Sequence, residues 1–318
     1  MMHGVCDFQN SIKEIMADKT PKVSVCVVTY NQEKFIRQCL QSIVDQVVNF
    51  DIEVIVADDC STDGTRDIIK EFFNKYPKLI KPVLRDKNIG PGENYIDVHQ
   101  RACGQYISHV DADDYFLPNK LQLQADYLDE NSQCNFVWHR MQVMNDATGI
   151  IVDDLIDVSQ FPQHGFDRGD ILQLMAIGMN SSKMYRSAVR DFDLPSFPVM
   201  DFFANVEQVG QGVANFVGDT PLGVYRAGIG VASAGNKTKI ILQKSFLYFT
   251  EKYPEYKKDI CSAVILILAS AIKNRRWSIF SLYLPLLLKT FSIGVFFKIW
   301  KWRKIIPMLK IPAAVRSV

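Results

Sequence analysis

Short β-branched runs alternate with amphipathic stretches along the first 110 residues. VSVCVV, 23–28, follows Pro21 and predicts a buried strand. The next segment, roughly 33–48, places Phe35, Ile36, Cys39, Leu40, Ile43, Val44 and Val47 in one stripe and predicts a helix. IEVIVA, 52–57, predicts a second buried strand. DDCSTDGT is rich in helix-capping residues, and the helix expected after it carries Ile68, Ile69, Phe72 and Phe73 on one side. A third strand is expected near 81–85, a helix around 92–103 and a fourth strand over 105–110. Such alternation predicts a mostly parallel sheet covered by helices on both faces. In open sheets of this kind ligands bind beyond the carboxyl ends of the strands. The polar clusters VTYN, ADDCSTDGT and HVDADD all fall at such ends.

Past residue 130 the pattern loosens. NFVWHRMQVM reads as one strand, and 151–170 as an acidic loop. SKMYRSAV suggests a strand entering a helix, MDFFANVEQVGQG a helix, and FVGDTPLGVYR a turn followed by a strand. From about 240 onward the chain reads as helical, with Pro285 and Pro307 as breaks. The runs ICSAVILILASAI, WSIFSLYLPLLL and FSIGVFFKIWKWRK are apolar, but none extends uninterrupted over about 18 residues, so a spanning helix is not expected.

The whole-chain charge of +1 gives no general attraction to nucleic acid or membrane. Its distribution is more telling: from Lys237 to Val318 sixteen Lys/Arg face three acids, Glu251, Glu255 and Asp259. With Trp277, Trp300 and Trp302 among the basic residues, 260–318 is expected to meet a membrane surface; a helical subdomain packing on the sheet is the alternative. Seven cysteines form no CxxC pair and read as reduced, mostly buried thiols. The start of the chain shows no signal-peptide pattern, so a cytoplasmic location is expected. The five histidines are scattered and read as core or surface residues.

The chemistry gathers in QYISHVDADDYFLP, 105–118. Alternate carboxylates just past a strand, Asp111 and Asp113, can aim at one point. Mg²⁺ takes one or two protein carboxylates and completes its shell with substrate phosphate and water. DADD is therefore a candidate metal–diphosphate clamp, with a helix N-terminus or a turn as the structural alternative. In VIVADDCSTDGT, Asp58 ends a second strand of the same sheet, where a carboxylate can accept a hydrogen bond from a nucleobase N–H.

VSVCVVTYNQEKFIRQCLQSI, VIVADDCSTDGT, NIGPGENY and GQYISHVDADDYFLP together resemble the family 2 glycosyltransferases in order and spacing. The resemblance is clear over about 22–130 and weaker over about 180–235. It implies the GT-A fold, an α/β Rossmann-like, mostly parallel sheet with helices on both faces, here with a helical C-terminal region. It implies transfer of a sugar from a nucleoside diphosphate donor, with inversion and with Mn²⁺ or Mg²⁺. Carried over by position, Thr29, Tyr30 and Asn31 line the nucleoside pocket. Asp58 contacts the base, commonly uracil, with Asp59 beside it. Asp111 lies near ribose and metal, and Asp113 is the main metal ligand. Asp201 stands where relatives place the catalytic base, with Met200 in place of their Glu and Glu207 in reserve. Arg226, in TPLGVYRAGIG, is expected at the diphosphate or the acceptor.

Three positions depart from the family pattern. Gly92-Glu93-Asn94 replaces the common Ala-Arg-Asn, so Arg85 or Lys87 is the candidate substitute for the lost cation. Cys60 stands where Gly is frequent, and the His common after Arg226 is missing.

The expected organisation is an N-terminal extension, 1–20; a nucleotide-sugar-binding half, 21–130; an acceptor-binding half, 131–238; and a basic, apolar helical tail, 239–318. The expected partners are a UDP-sugar and a saccharide acceptor on a lipid carrier at the inner face of the cell membrane, in surface polysaccharide synthesis, and no nucleic acid. The competing functions are a sugar nucleotidyltransferase, which needs a Gly-rich basic loop after the first strand, and a catalytically silent nucleotide-sugar-binding protein.

Overall fold

The computed structural model describes residues 20–315 except 192, 229–235 and 293, so the N-terminal extension lies outside the described residues. Seven strands form the main sheet: β1 Val23–Thr29, β2 Ile52–Asp58, β3 Ile80–Leu84, β4 Tyr106–Asp111, β6 Cys134–Trp138, β9 Met184–Arg186 and β10 Val213–Phe216. Their order is β10-β6-β9-β4-β1-β2-β3. All neighbours pair in parallel except β9, which runs antiparallel to β4 and β6. Four short strands, β5 Tyr115–Phe116, β7 Met141–Asn145, β8 Ile151–Asp153 and β11 Gly223–Ala227, make a second sheet ordered β5-β11-β7-β8.

The period-2 alternation of strands divides the core. Val23, Val25 and Val27 of β1 and Val54 and Val56 of β2 pack with Ile36, Leu40 and Ile43 from helix α1, Ile36–Val44. Helix α2, Thr65–Lys75, adds Ile69 and Phe72 to this side. Cys26, Ile55, Ala57 and Ile107 face the other way, toward Val98 of helix α3, Pro91–Arg101. Helix α4, Lys120–Glu130, links β5 to β6. Helices α5, Arg168–Leu174, and α6, Asp201–Gln208, belong to the second core, together with α7 Asn236–Lys252, α8 Lys257–Lys273 and α9 Trp277–Thr290, while α10 Val295–Lys301 lies against α8. There Phe203 stacks on Phe249 at 4.8 Å between ring centres and Phe202 meets Phe246 edge-on at 5.4 Å. The C-terminal helices thus pack as core on the preceding segment, with one side left outward.

Several local readings need correction. The first helix is shorter than its stripe; Val47 lies beyond its end and is exposed, as is Phe73. NFVWHRMQVM is two strands in two sheets. The chain leaves the main sheet at His139-Arg140, where Arg140 is anchored by Asp154 at 2.9 Å and the Asp219 carbonyl at 2.8 Å. The acids of 151–170 are tied up locally. Asp154 also accepts from the Met141 N–H, and Asp167 opens α5 in a reciprocal capping box with Asp170. Pro285 sits inside α9 rather than ending it. Pro285 and Ser281, four residues earlier, are both exposed, so water can reach the carbonyl that loses its helical bond. Pro307 lies in a 3₁₀ turn, Ile306–Leu309.

Candidate active site

Strand register builds the site. Thr29 pairs with Asp58 and Val28 with Asp111, so the last residues of β1, β2 and β4 stand side by side. Just past β1, Asn31 adopts a left-handed φ of 52° and bridges to the β2 loop. Its N–H donates to Ser61 Oγ at 2.9 Å, and its Oδ1 accepts from the Thr62 N–H at 2.8 Å. Asn tolerates that conformation better than most residues. Cys60 takes the same left-handed turn with φ 66°, so the loop keeps a glycine-like backbone without the glycine. Tyr30 is exposed at the rim.

Asp58 and Asp59 have different jobs. Asp58 is fully buried, and its Oδ2 accepts from Arg66 Nε at 2.6 Å and the Ser61 N–H at 3.0 Å. Its Oδ1 is buried with no hydrogen-bond partner, as are Thr29 Oγ1, Gln32 Oε1 and Tyr95 Oη. Buried polar atoms are normally paired, so an unpaired carboxylate oxygen at a strand-end mouth is a candidate ligand contact. Asp59 instead accepts from the Ile89 N–H at 2.8 Å and the Gly90 N–H at 2.9 Å. It holds the loop that leads into α3.

The carboxylate cluster also divides. Asp111 is about half open, with 42% of its side chain exposed. Its Oδ1 lies 3.2 Å from His109 Nε2; His109 Nδ1 lies 3.0 Å from His99 Nε2, and His99 Nδ1 lies 2.8 Å from Tyr185 Oη. Tyr95 stacks on His99 at 4.0 Å. Asp113 is buried; burial first, and then the charge of Asp111, push its carboxyl up to about 6. Asp114 is a brace: it accepts from Ser181 Oγ at 2.5 Å and from the Arg226 N–H at 2.9 Å. Ser181 Oγ also accepts from the Asp111 N–H at 3.1 Å, locking the turn.

Asp201 opens α6 and accepts from the Phe202 N–H at 2.8 Å through Oδ1. Its side chain is exposed by surface area, while its carboxyl is closely surrounded by protein atoms. Burial raises it above the usual carboxylate range, Asp111 adds to that, and Lys183 and His109 oppose it. Its charge is also felt at Tyr95 and Tyr225, so it belongs to the same region as Asp111. Lys183 is buried, donates to Asn205 Oδ1 at 2.5 Å and to Gln208 Oε1, and is pushed down to about 7 by burial. Glu207 is elsewhere, with Oε1 held by Lys252 at 2.9 Å and Oε2 by Tyr253 Oη at 2.7 Å.

Two of the three candidate cations are paired within the protein. Arg226 pairs with Asp146 at 2.8 Å, donates to Gln38, and lies over the Phe35 and Tyr115 rings. Arg85 is held by Asn94 at 2.8 Å and Asp97 at 2.6 Å, while Lys87 is exposed. Of the two proposed substitutes, only Lys87 has its charge turned outward.

The residues fit a hard divalent cation that shares its shell with phosphate. Asp111 and Asp113 flank Ala112 at the end of β4, and their mutual repulsion is what a cation relieves. Among the described residues no three His, Cys, Asp or Glu side chains converge as a complete protein cage. Such an ion would take the remainder of its ligands from substrate and water.

The profile of Glycosyl transferase family 2 matches residues 24–186, from β1 through β9. The chain belongs to glycosyl transferase family 2. An uncharacterised protein of Mycobacterium tuberculosis is 34% identical to this family 2 chain over 210 residues, 64% of this chain and 58% of the relative. The match thus spans less than two thirds of that relative's length. Among solved structures, residues 1–349 of Staphylococcus aureus TarS in complex with UDP-GlcNAc align over 76% of this chain and 71% of that one, with TM-score 0.55 and 23% identity. A mannosyltransferase from Pyrobaculum calidifontis in complex with GDP-Man and Mn²⁺ aligns over 96% and 91%, with TM-score 0.57 and 15% identity. At these identities the likeness is one of fold, and the fold is GT-A.

Sequence reasoning passed over His99, His109, Ser181 and Lys183. One signal was present: residues two apart on a strand share a face, so His109 and Asp111 of β4 point the same way. The others come from distant segments and carry no local mark.

Proposed function

We propose that this family 2 chain transfers a sugar from a UDP-sugar to a hydroxyl of a saccharide acceptor, with inversion, in surface polysaccharide synthesis on a lipid-linked acceptor. The observation that carries the reading is the grouping of Asp58, Asp111 and Asp113 at adjoining strand ends, with Asp201 near enough to feel the charge of Asp111. In this reading Asp58 offers its unpartnered oxygen to a base N–H, and Thr29, Tyr30 and Asn31 border the nucleoside. Asp113, assisted by Asp111, would hold Mn²⁺ or Mg²⁺, which supplies charge neutralisation to the departing diphosphate.

Inversion is a single displacement. The acceptor oxygen forms its bond to the anomeric carbon on the side opposite the leaving UDP, and its proton passes to Asp201. A carboxyl raised above its usual range is a stronger base than a free one, which suits that role. Asp59 and Asp114 act on loops rather than on substrate. The two bound neighbours hold different nucleotides, so base choice is the direct test. Calorimetry with UDP, GDP and ADP, followed by a transfer and hydrolysis screen of their sugars with Mn²⁺ and Mg²⁺, should show UDP preferred. Tighter GDP binding, or no metal-dependent turnover of any UDP-sugar, refutes the reading.

A further inference from the structure

Helix α9 is apolar on two sides. Ile279, Tyr283, Leu286 and Thr290 recur at helical spacing and are buried. With about 100° between successive residues, Trp277, Leu284, Leu288 and Phe291 fall on the opposite side, and all four are exposed. A helix apolar all round belongs inside a core, and α9 has only half of one. Helix α10 repeats the arrangement. Val295 is buried, while Phe296, Phe297 and Trp300 are exposed. Leu288 at 75%, Phe297 at 80% and Trp300 at 65% are far beyond ordinary surface exposure for such residues.

Charge identifies the partner. From Ile260 to Val318 there are ten Lys/Arg and no Asp or Glu. Lys289, Lys298 and Lys301 pair with Glu251, Asp259 and Asp170 from other elements. Lys273, Arg275, Arg276, Arg303, Lys304 and Lys310 are exposed, and Arg303 lies over the Trp300 ring at 3.7 Å. In a symmetric contact through this face, a second copy would bring the same positive segment, 260–318, which holds no acid. Aromatic rings flanked by Lys and Arg instead match the headgroup–acyl boundary of an anionic bilayer. Among the described residues no single helix is long and apolar enough to cross a membrane. The α9–α10 pair passes by composition but bends by 115°. The inward side of α9 is already spent on the protein core.

We infer that α9 and α10 rest this protein on an anionic lipid bilayer, with Trp277, Leu288, Phe297 and Trp300 in the boundary layer and the exposed basic residues beside the phosphates. The full chain, mixed with vesicles of phosphatidylglycerol and phosphatidylcholine, should float with them at low salt and hardly at all with phosphatidylcholine alone. The combined variant Leu288→Ser, Phe297→Ser, Trp300→Ser should lose about tenfold or more of its partitioning. Arg275→Glu with Arg276→Glu should lose a smaller share, which added salt abolishes in the parent. UDP binding by calorimetry, unchanged in both, shows that the fold is kept. No flotation, or flotation unchanged by the apolar variant, overturns the inference. Resistance to carbonate extraction overturns it in favour of insertion. Self-association lost in the apolar variant, without lipid binding, assigns the face to a second copy.

Discussion

His109 Nε2 lies 3.2 Å from Asp111 Oδ1, and that contact joins the carboxylate to two buried rings. A carboxylate only accepts, so His109 donates through Nε2, and with a neutral ring it accepts at Nδ1. His99 then donates through Nε2 and accepts at Nδ1 from the Tyr185 hydroxyl. Burial disfavours charge on His99, in keeping with a neutral chain. The run Tyr185–His99–His109–Asp111 has one direction and orients the carboxylate from behind. Partners of this kind behind a ligand typically matter about 10–100-fold in metal affinity. His109→Phe should therefore weaken Mn²⁺-dependent UDP binding by about tenfold or more. His109→Gln, whose amide can donate from a similar position, should recover much of it. Titration calorimetry decides; equal losses in both variants would reduce His109 to a packing residue.

Asp113 should make the metal-free protein less stable as pH rises. Its carboxyl is raised to about 6 in the fold, against about 4 in an unfolded chain. Below the unfolded value both states are protonated and the cost is absent. Between the two values the native state binds more protons, so stability falls with pH, and above about 6 the cost is complete. Asp113→Asn should gain on the order of 1–3 kcal/mol at pH 7.5 and nothing near pH 3.5. Urea denaturation at both pH values checks this. Metal-dependent UDP binding should be lost in the same variant.

Asp201→Asn should still bind UDP and metal, because Asp201 is not among the groups assigned to either. Turnover should fall by about 10²-fold or more. Calorimetry and initial rates on one preparation separate the effects. A matching loss of donor affinity would move Asp201 from base to donor site.

Asp59→Ala should loosen the 88–90 loop. Two charge-assisted bonds to the Ile89 and Gly90 N–H groups disappear, at a cost of about 1–3 kcal/mol. Amide hydrogen exchange should quicken at those residues and at the start of α3. Unchanged exchange there, with UDP affinity lost, would make Asp59 a nucleotide contact instead.

The β1–β4 half was legible because β1, β2 and β4 are buried on both faces and end in polar clusters, as in IEVIVA before DDCSTDGT; β3 is the partly exposed edge strand. The chain beyond residue 130 was less so. Nothing in NFVWHRMQVM marks His139-Arg140 as the point where one sheet ends and another begins. That exit depends on Asp154 and Asp219, 14 and 79 residues away from Arg140. Within the site, carboxylates at strand ends could be found by position, but their division of labour could not. Asp113 and Asp114 are adjacent letters; only the arrival of Ser181 and the Arg226 N–H makes the second a brace. Pro285 misled because an interior proline costs a hydrogen bond and a clash, and packing of the buried face of α9 can hold the helix through it.

The stacking of Phe202 and Phe203 on Phe246 and Phe249 bears on how this protein can be recombined. The start of α7 invites a splice: shuffle the segment from residue 236 onward among relatives and acquire a new address with the same chemistry. The two phenylalanines that receive α7 directly follow Asp201, so a transplanted helix with other aromatics would re-seat α6 and shift its first carboxyl. Grafts in this lineage should tolerate exchange of outward α9 and α10 side chains far better than exchange of whole helices.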